Sequence, residues 1–458
     1  MFKFTNSKLY GMCALLFTLF LAGCDNQNPG NVIPQKVSMG ADEYSSDFAR
    51  AWYTQLCKAT KTTAGYYPPM ASRVFGYMGV TLYESVVHGI PNAKSLAGQL
   101  NGLAVGALPQ PESTKEYNWS LVANAALATT MRNFFPVSFS SGAKNHVSID
   151  SLETKYKTVL STNISPDVVD NSVQYGKALA TAIFEYAKTD GGHEAYLTPF
   201  AGKEIIPTGA QYWVPTNGTD AMGANWGKNR FMLSANISVR ISPHLAFSTD
   251  PNSAFYKQAL EVYRQKSLNT ADQEEIARFW ADNPFETCTP TGHTVSIMTQ
   301  LLDETHATLA KAAVAYAKIS IAEYEAFIAC WREKYTYALL RPVTYIKRHI
   351  DPNWEPLIGT PPFPAYVSGH STETGAASRV FISTFGPNYT FTDRSQLLYG
   401  FSRTQRSFTS FEQMSQESAF SRLYGGIHYR MDVEEGLTLG KRIGDNVVAL
   451  LDMPRGLN

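Results

Sequence analysis

The chain is short of several things, and each shortage excludes a class of protein. It has no net charge, because Lys plus Arg and Asp plus Glu stand at 39 each. Nothing therefore draws it as a whole onto nucleic acid or an acidic lipid surface, and any strong positive field must be gathered in a site. Charged residues make up only 17% and hydrophobic ones 44%, which excludes a disordered chain. Cysteine is scarce. Beyond the N-terminal segment and Cys24, only Cys57, Cys288 and Cys330 remain, without the paired spacing of a disulfide framework, a zinc knuckle or a c-type haem site. Buried thiols are the expectation there. Alternating strand segments and internal repeats are also missing. The most apolar run, Met12 to Leu21, is far too short to span a bilayer.

What is present begins with that run. Lys3 and Lys8 precede it, and Leu21-Ala22-Gly23-Cys24 ends it. This pattern resembles a bacterial lipoprotein signal with its lipobox. The resemblance implies cleavage before Cys24, acylation of that cysteine, and a lipid-anchored protein in the bacterial cell envelope, outside the cytoplasm. Residues 1–23 are then a signal peptide, 24–44 a polar flexible tether, and 45–458 one catalytic domain.

The periodicity of that domain is helical. Phe48, Trp52 and Leu56, and then Val74, Met78, Leu82 and Val86, recur every four residues. Further helices are predicted near 119–133, 168–188, 253–266, 271–282, 303–340, 371–384 and 433–452. Between Leu197 and His244 the pattern breaks into Pro, Gly, Asn and Trp clusters, a long loop that is either functional or a covering flap. The fold class expected is all-α, a helical bundle.

Three segments of the C-terminal third carry chemistry. In the first, Lys334 is followed seven residues later by Arg341-Pro342. Two helical turns would project both cations from one face before Pro342 ends or kinks the helix. In the second, Ser368-Gly369-His370 opens a small-residue helix whose N-terminus offers free N–H groups to an anion. Gly369 permits close approach, Ser368 adds a hydroxyl, and His370 can move a proton near neutral pH. A plain N-cap serine beside a surface histidine would read the same. In the third, Arg422 is followed by Gly425-Gly426, His428 and Asp432. Asp432, four residues after His428, can hold the imidazole N–H and fix its tautomer, which leaves a nucleophile or a metal ligand.

Lys334, Arg341 and Arg422 around two histidines would repel a bare zinc ion and suit a highly charged tetrahedral oxyanion, phosphate or vanadate. His88, His146, His193, His244, His293, His306 and His349 show no ligand spacing and are expected to be structural; for His293 a loop role is expected, with a place at the site entrance as the alternative.

In order, these segments match Lys-x6-Arg-Pro, Pro-Ser-Gly-His and Ser-Arg-x5-His-x3-Asp, with Val367 in place of the one proline that is missing. The chain thus resembles the vanadium haloperoxidase and type-2 phosphatidic acid phosphatase superfamily over residues 331–432. The resemblance implies that Lys334, Arg341, Ser368, Gly369 and Arg422 bind the oxyanion, and that Lys334 is also catalytic, as the cation nearest the peroxide it polarises. It makes His428 the vanadium ligand, or in a phosphatase the nucleophile, with His370 the acid–base group and Asp432 orienting His428. Phe279-Trp280-Ala281-Asp282 resembles the family segment that supplies a carboxylate to the arginines.

Trp331 and Phe363 resemble the aromatic wall of the halide pocket in haloperoxidases, and the chain is similar to marine bacterial iodoperoxidases. The favoured function is therefore oxidation of iodide or bromide by hydrogen peroxide to hypohalous acid at vanadate. The alternatives are a phosphatase of small phosphate esters working through a phosphohistidine, and a non-catalytic oxyanion-binding surface lipoprotein.

Overall fold

The computed structural model describes residues 38–216, 218–400 and 405–456. The signal peptide and Cys24 lie outside them. Within them the chain folds as fourteen α-helices and one short hairpin. The N-terminal helices are α1 (Asp47–Thr62), α2 (Pro68–Val86), α3 (Trp119–Phe134), α4 (Gly142–Leu160) and α5 (Pro166–Lys188). After the irregular stretch come α6 (Ser234–Ile237), α7 (Ala254–Leu268), α8 (Ala271–Phe279) and α9 (Thr289–Glu304). Then follow α10 (Leu309–Tyr337), α11 (Pro342–His349), α12 (Gly369–Phe385), the hairpin β1 (Phe391–Asp393) and β2 (Arg406–Phe408), α13 (Phe411–Tyr424) and α14 (Arg430–Leu450).

The ends of these helices follow from capping chemistry. Ser165, Ser253, Thr270, Thr308, Ser368 and Ser410 each accept a backbone N–H with the side chain at an N-terminus. Helix α10 is the axis of the bundle. It has 29 residues, about 44 Å at 1.5 Å per residue, and nearly every residue from Leu309 to Trp331 is buried. A helix buried on all its faces has to be covered on every side, and α2, α9, α12 and α14 pack on it. Its C-terminal end delivers Lys334 to the site.

Helix α12 lies on α14 with glycines between them. A Cβ at Gly440 would strike the Thr372 carbonyl, one at Gly444 would strike Ala376, and one at Gly436 would come within 2.9 Å of the Ser368 carbonyl. The absence of side chains lets the two backbones touch. Ser368 N donates to Asp432 O at 2.9 Å, which ties together the two helix starts that carry the site.

Several expectations change. Residues 38–44, assigned to the tether, belong to the fold: Ala41 is fully buried, Tyr117 N donates to Ser38 Oγ at 2.9 Å, and Leu309 N donates to Tyr44 O at 2.8 Å. Helices α4, α6, α9, α11 and α13 were not expected, nor was the hairpin. The long helix stops at Tyr337, where Ala338 takes a left-handed conformation (φ 46°), so Lys334 and Arg341 do not share one helix face. Pro342 does not end a helix; it occupies the first turn of α11, where its missing N–H costs nothing. Cys57, Cys288 and Cys330 are buried, as expected. No helix among the described residues is long and apolar enough to cross a membrane.

Candidate active site

The three segments converge although they leave their helices differently. Lys334 sits three residues before the end of α10, fully buried, and donates from Nζ to Pro364 O at 2.9 Å and Ala365 O at 3.1 Å. Arg341 is the N-cap of α11, also fully buried. Its Nε donates to Phe363 O at 2.7 Å, and its Nη1 to Ile427 O at 2.9 Å and toward His428 Nε2 at 3.1 Å. The 363–367 segment is thus wrapped around two cations, and its Tyr366–Val367 peptide bond is cis. Arg422, in the last turn of α13, bonds the Trp280 carbonyl. Gly426 (φ 78°) then turns the chain to His428, and α14 opens two residues later.

Asp432 is the third residue of α14, so it shares no helix with His428. It reaches back, and its Oδ2 accepts from Tyr429 N at 3.0 Å and from His428 Nδ1 at 2.9 Å. With Nδ1 donating to a carboxylate and a guanidinium N–H aimed at Nε2, the tautomer is fixed from both sides and the Nε2 lone pair faces the cations. Burial first, then Arg341, Lys334 and Arg422, hold His428 well below the usual histidine range. Burial lifts Asp432 to about 7 against the pull of Lys334.

The cations are under-satisfied. Among the described residues none of Lys334, Arg341 and Arg422 is in ion-pair contact with a carboxylate oxygen, and Arg341 Nη2 and Arg422 Nε have no hydrogen-bond partner. Burial pulls Lys334 down to about 7, Arg341 to about 9 and Arg422 to about 10. Such a cluster is costly unless a charge of opposite sign compensates it.

A cavity of about 380 Å³ adjoins it, lined by Gly369, His370, Arg422 and His428 on one side and by Trp331, Phe363, Met222 and Phe285 on others. A Cβ at Gly369 would meet only the Trp331 ring, at 3.6 and 3.9 Å, so protein packing does not demand glycine there and only the cavity does. Ser368 is buried behind the wall, and its Oγ caps α12 through Ser371 N at 3.3 Å. The Trp331 and Phe363 rings lie 5.0 Å apart, and the Phe363 face is 4.9 Å from Lys334 Nζ and 4.8 Å from Arg341 Cζ. The irregular 197–244 stretch forms part of the rim: Met222 N donates to Pro362 O at 2.8 Å, and Trp331 Nε1 to Met222 O at 3.2 Å.

The family is decided by comparison with known proteins. A family model described as the VCPO second helical-bundle domain matches residues 314–455. The crystal structure of a bacterial vanadium-dependent iodoperoxidase matches with a TM-score of 0.80 at 35% identity, over 90% of this chain and 98% of that one. The chain belongs to the vanadium haloperoxidase family. Holo and apo structures of a bacterial vanadium-dependent chloroperoxidase match with TM-scores of 0.60 and 0.59 at 15% identity, over 84% of this chain and 93% and 94% of theirs, a likeness of fold. Comparison with curated proteins gives no match.

Within this haloperoxidase fold, one cluster had no part in the sequence expectations as a unit. His293 is no loop residue; it is buried in the first turns of α9. Its Nδ1 lies 2.9 and 3.1 Å from the two oxygens of Asp282, and its Nε2 lies 2.8 Å from Asp393 Oδ2. Burial opposes a charge on this ring, but Asp282 and Asp393 outweigh it and raise His293 well above the histidine range. Asp282 Oδ2 also faces His370 Nε2 at 3.8 Å. The His370 ring is 17% exposed, its Nε2 has no hydrogen-bond partner, and burial, then Arg422 and His293, hold it well below the histidine range. Asp282, expected to serve the arginines, lies instead against His293 and beside His370, and acts on Arg422 only through its charge at longer range. His293 and Asp393 carried no local signal.

Proposed function

We propose that this chain is a vanadium-dependent haloperoxidase that oxidises iodide, and secondarily bromide, with hydrogen peroxide to hypohalous acid. One observation carries the reading: three buried cations, without a carboxylate in ion-pair contact among the described residues, surround an imidazole whose Nε2 lone pair is kept free of a proton. Vanadate fits this set, because its oxygens can accept from Arg341 Nη2 and Arg422 Nε, and from the N–H groups of Gly369 and His370, to which the start of α12 gives no intrahelical acceptor. His428 Nε2 would be the protein ligand to vanadium, and Lys334 and Ser368 would support the cage from behind its wall. When bound, vanadate would supply a Lewis acid that polarises hydrogen peroxide.

The residues then divide the work. Arg341, Arg422 and Lys334 hold negative charge in a site of low dielectric, where fixed donors count most. Asp432 keeps the proton on His428 Nδ1. His370, neutral and partnerless at Nε2, can take a proton from peroxide and return it later. Trp331 and Phe363 exclude water and shape the space a halide would enter; that wall favours the haloperoxidase over the phosphatase, in which His428 would attack phosphorus and His370 would protonate the leaving alcohol.

The test is vanadate reconstitution of the purified soluble domain, followed by parallel assays of peroxide-dependent iodide oxidation and phosphate monoester hydrolysis. Vanadate-dependent iodide oxidation that phosphate suppresses is expected. Efficient hydrolysis with no such oxidation would leave a phosphatase, and neither activity would leave an oxyanion-binding protein. We also propose acylation of Cys24 and hence a membrane-anchored location. Fatty-acid labelling that persists in Cys24→Ala would remove that part.

A further inference from the structure

Behind His370 lies a buried charge arrangement that the cage does not use. A carboxylate only accepts hydrogen bonds, and both ring nitrogens of His293 lie against carboxylates, so both donate and the ring is an imidazolium. The Trp280 indole lies flat on it, with centroids 4.4 Å apart and planes 19° from parallel, the face an aromatic ring offers to a cation. Asp393 is fixed in turn, because its Oδ1 accepts from Ser395 N at 2.8 Å just after β1. The hairpin thereby brings a carboxylate to α9 from a hundred residues away. At the other end, the Asp282 backbone is in the left-handed region (φ 47°), an uncommon conformation for aspartate, and its carboxylate grips His293 with both oxygens.

We infer that Asp393, His293 and Asp282 form a relay that holds Asp282 as the counter-ion of His370, which makes His293 a positioning residue for the acid–base step. The inference rests on the haloperoxidase reading only for the identity of the reaction. When His370 Nε2 takes a proton from hydrogen peroxide, the O–H bond breaks, the N–H bond forms, and the electron pair stays on oxygen. The charge gained by the ring then faces Asp282 Oδ2, now 3.8 Å away and within reach of a small shift. The proton goes no further, because His293 already carries both of its own. Other groups face His370 too: Arg422 from α13, Lys334 from α10 and His428 from the turn before α14 are all cationic or neutral. Farther along α12, Glu373 also faces Asp282 and His293 and shares the Thr294 hydroxyl with Glu323. Asp282 is the carboxylate in ion-pair contact with the His370 ring.

Two measurements test this. In wild-type protein labelled with ¹⁵N-histidine, the His293 resonances, assigned with His293→Gln, should show both nitrogens protonated at pH values where a free imidazole is neutral. A neutral tautomer in that range overturns the proposal whether or not the protein oxidises halide. The second is a double-mutant cycle on peroxide-dependent iodide oxidation. His293→Gln should lower turnover about 10- to 100-fold, with phosphate affinity and the iodide KM unchanged. In a His370→Ala background it should cost nothing further. Losses that multiply would make His293 merely structural and sink the relay. If His293→Gln does not fold, Asp393→Asn takes its place in the same cycle. If wild type hydrolyses phosphate esters and oxidises no halide, the cycle is read on hydrolysis, where His370 is again the proton-transfer group.

Discussion

Among its described residues the molecule buries arginine in two places and treats it in opposite ways. In the N-terminal half, Arg73 on α2 lies with its Nε 2.7 Å from Asp190 Oδ2 and donates from Nη2 to Ala187 O at 2.7 Å. Asp190 also accepts from Tyr324 OH at 2.9 Å, Tyr77 OH at 3.0 Å and Gly192 N at 2.7 Å. Burial works against the Arg73 charge, but Asp190 outweighs it and the guanidinium is held above its ordinary range. Arg341 and Arg422 are as deeply buried, have no carboxylate in contact among the described residues, and are pulled down instead. A buried charge with its valences filled is structure. Buried charges left with open valences are a receptor, and the missing counter-charge is the ligand.

The contrast can be broken at either end. The largest effect should come from His428→Ala, which removes the imidazole whose Nε2 faces Arg341 and should abolish turnover, with urea midpoint near wild type. His370→Ala should slow turnover about 10²- to 10⁴-fold while phosphate binding survives. On the scaffold side, Asp190→Ala strands Arg73 without its partner and should cost about 3–5 kcal/mol in urea unfolding, a large part of a typical domain's stability. Arg422→Ala should cost far less, because it removes a buried charge that has no ion-pair contact among the described residues, only the more distant pull of Asp282, and it should erase the rise in Tm that phosphate gives wild type. Equal losses from Asp190→Ala and Arg422→Ala would show the two regions to be alike.

The next effect is in pH. Burial depresses Lys334 to about 7 from 10.5, so below about 7 it is charged in both states and the folded protein bears the full penalty. From about 7 upward the unfolded chain keeps a proton that the fold has released, so the anion-free protein gains stability from Lys334 up to the ordinary lysine range. Sulfate, a dianion throughout, relieves the penalty. Its stabilising effect should therefore be greatest below about pH 7 and shrink as pH rises, and Lys334→Met should flatten that dependence. Phe363→Leu is the smallest change: losing the ring face beside Lys334 and Arg341 should weaken phosphate binding about two- to fivefold by calorimetry.

The cage was legible because its chemistry is written as charged residues beside glycine and proline at helix boundaries, and no other use of Lys334, Arg341, Arg422, His370 and His428 together fits so well. The reasons for their convergence were less visible. An alanine taking the left-handed conformation at 338 leaves no mark in the sequence, so the Lys334–Arg341 spacing read as one helix. Thr289-Pro290-Thr291-Gly292 reads as a turn, yet it opens α9, with Pro290 in the first turn and Gly292 close against Cys288. The relay was illegible for a different reason: His293 meets partners 11 and 100 residues away, and only the folded chain brings them together.

The glycine contact between α12 and α14 has a consequence for motion. The two histidines at the site are carried by the starts of these two helices, which touch through Gly436, Gly440 and Gly444 against the backbone of Ser368, Thr372 and Ala376. Side chains between helices can exchange rotamers and let a gap breathe, but backbone against backbone has none to exchange. The spacing of His370 from His428 should therefore vary with temperature only as the main chain does. An added methyl at Gly440 would act like a shim driven between two clamped parts, moving the proton-transfer group and the ligand group apart together with everything mounted on them.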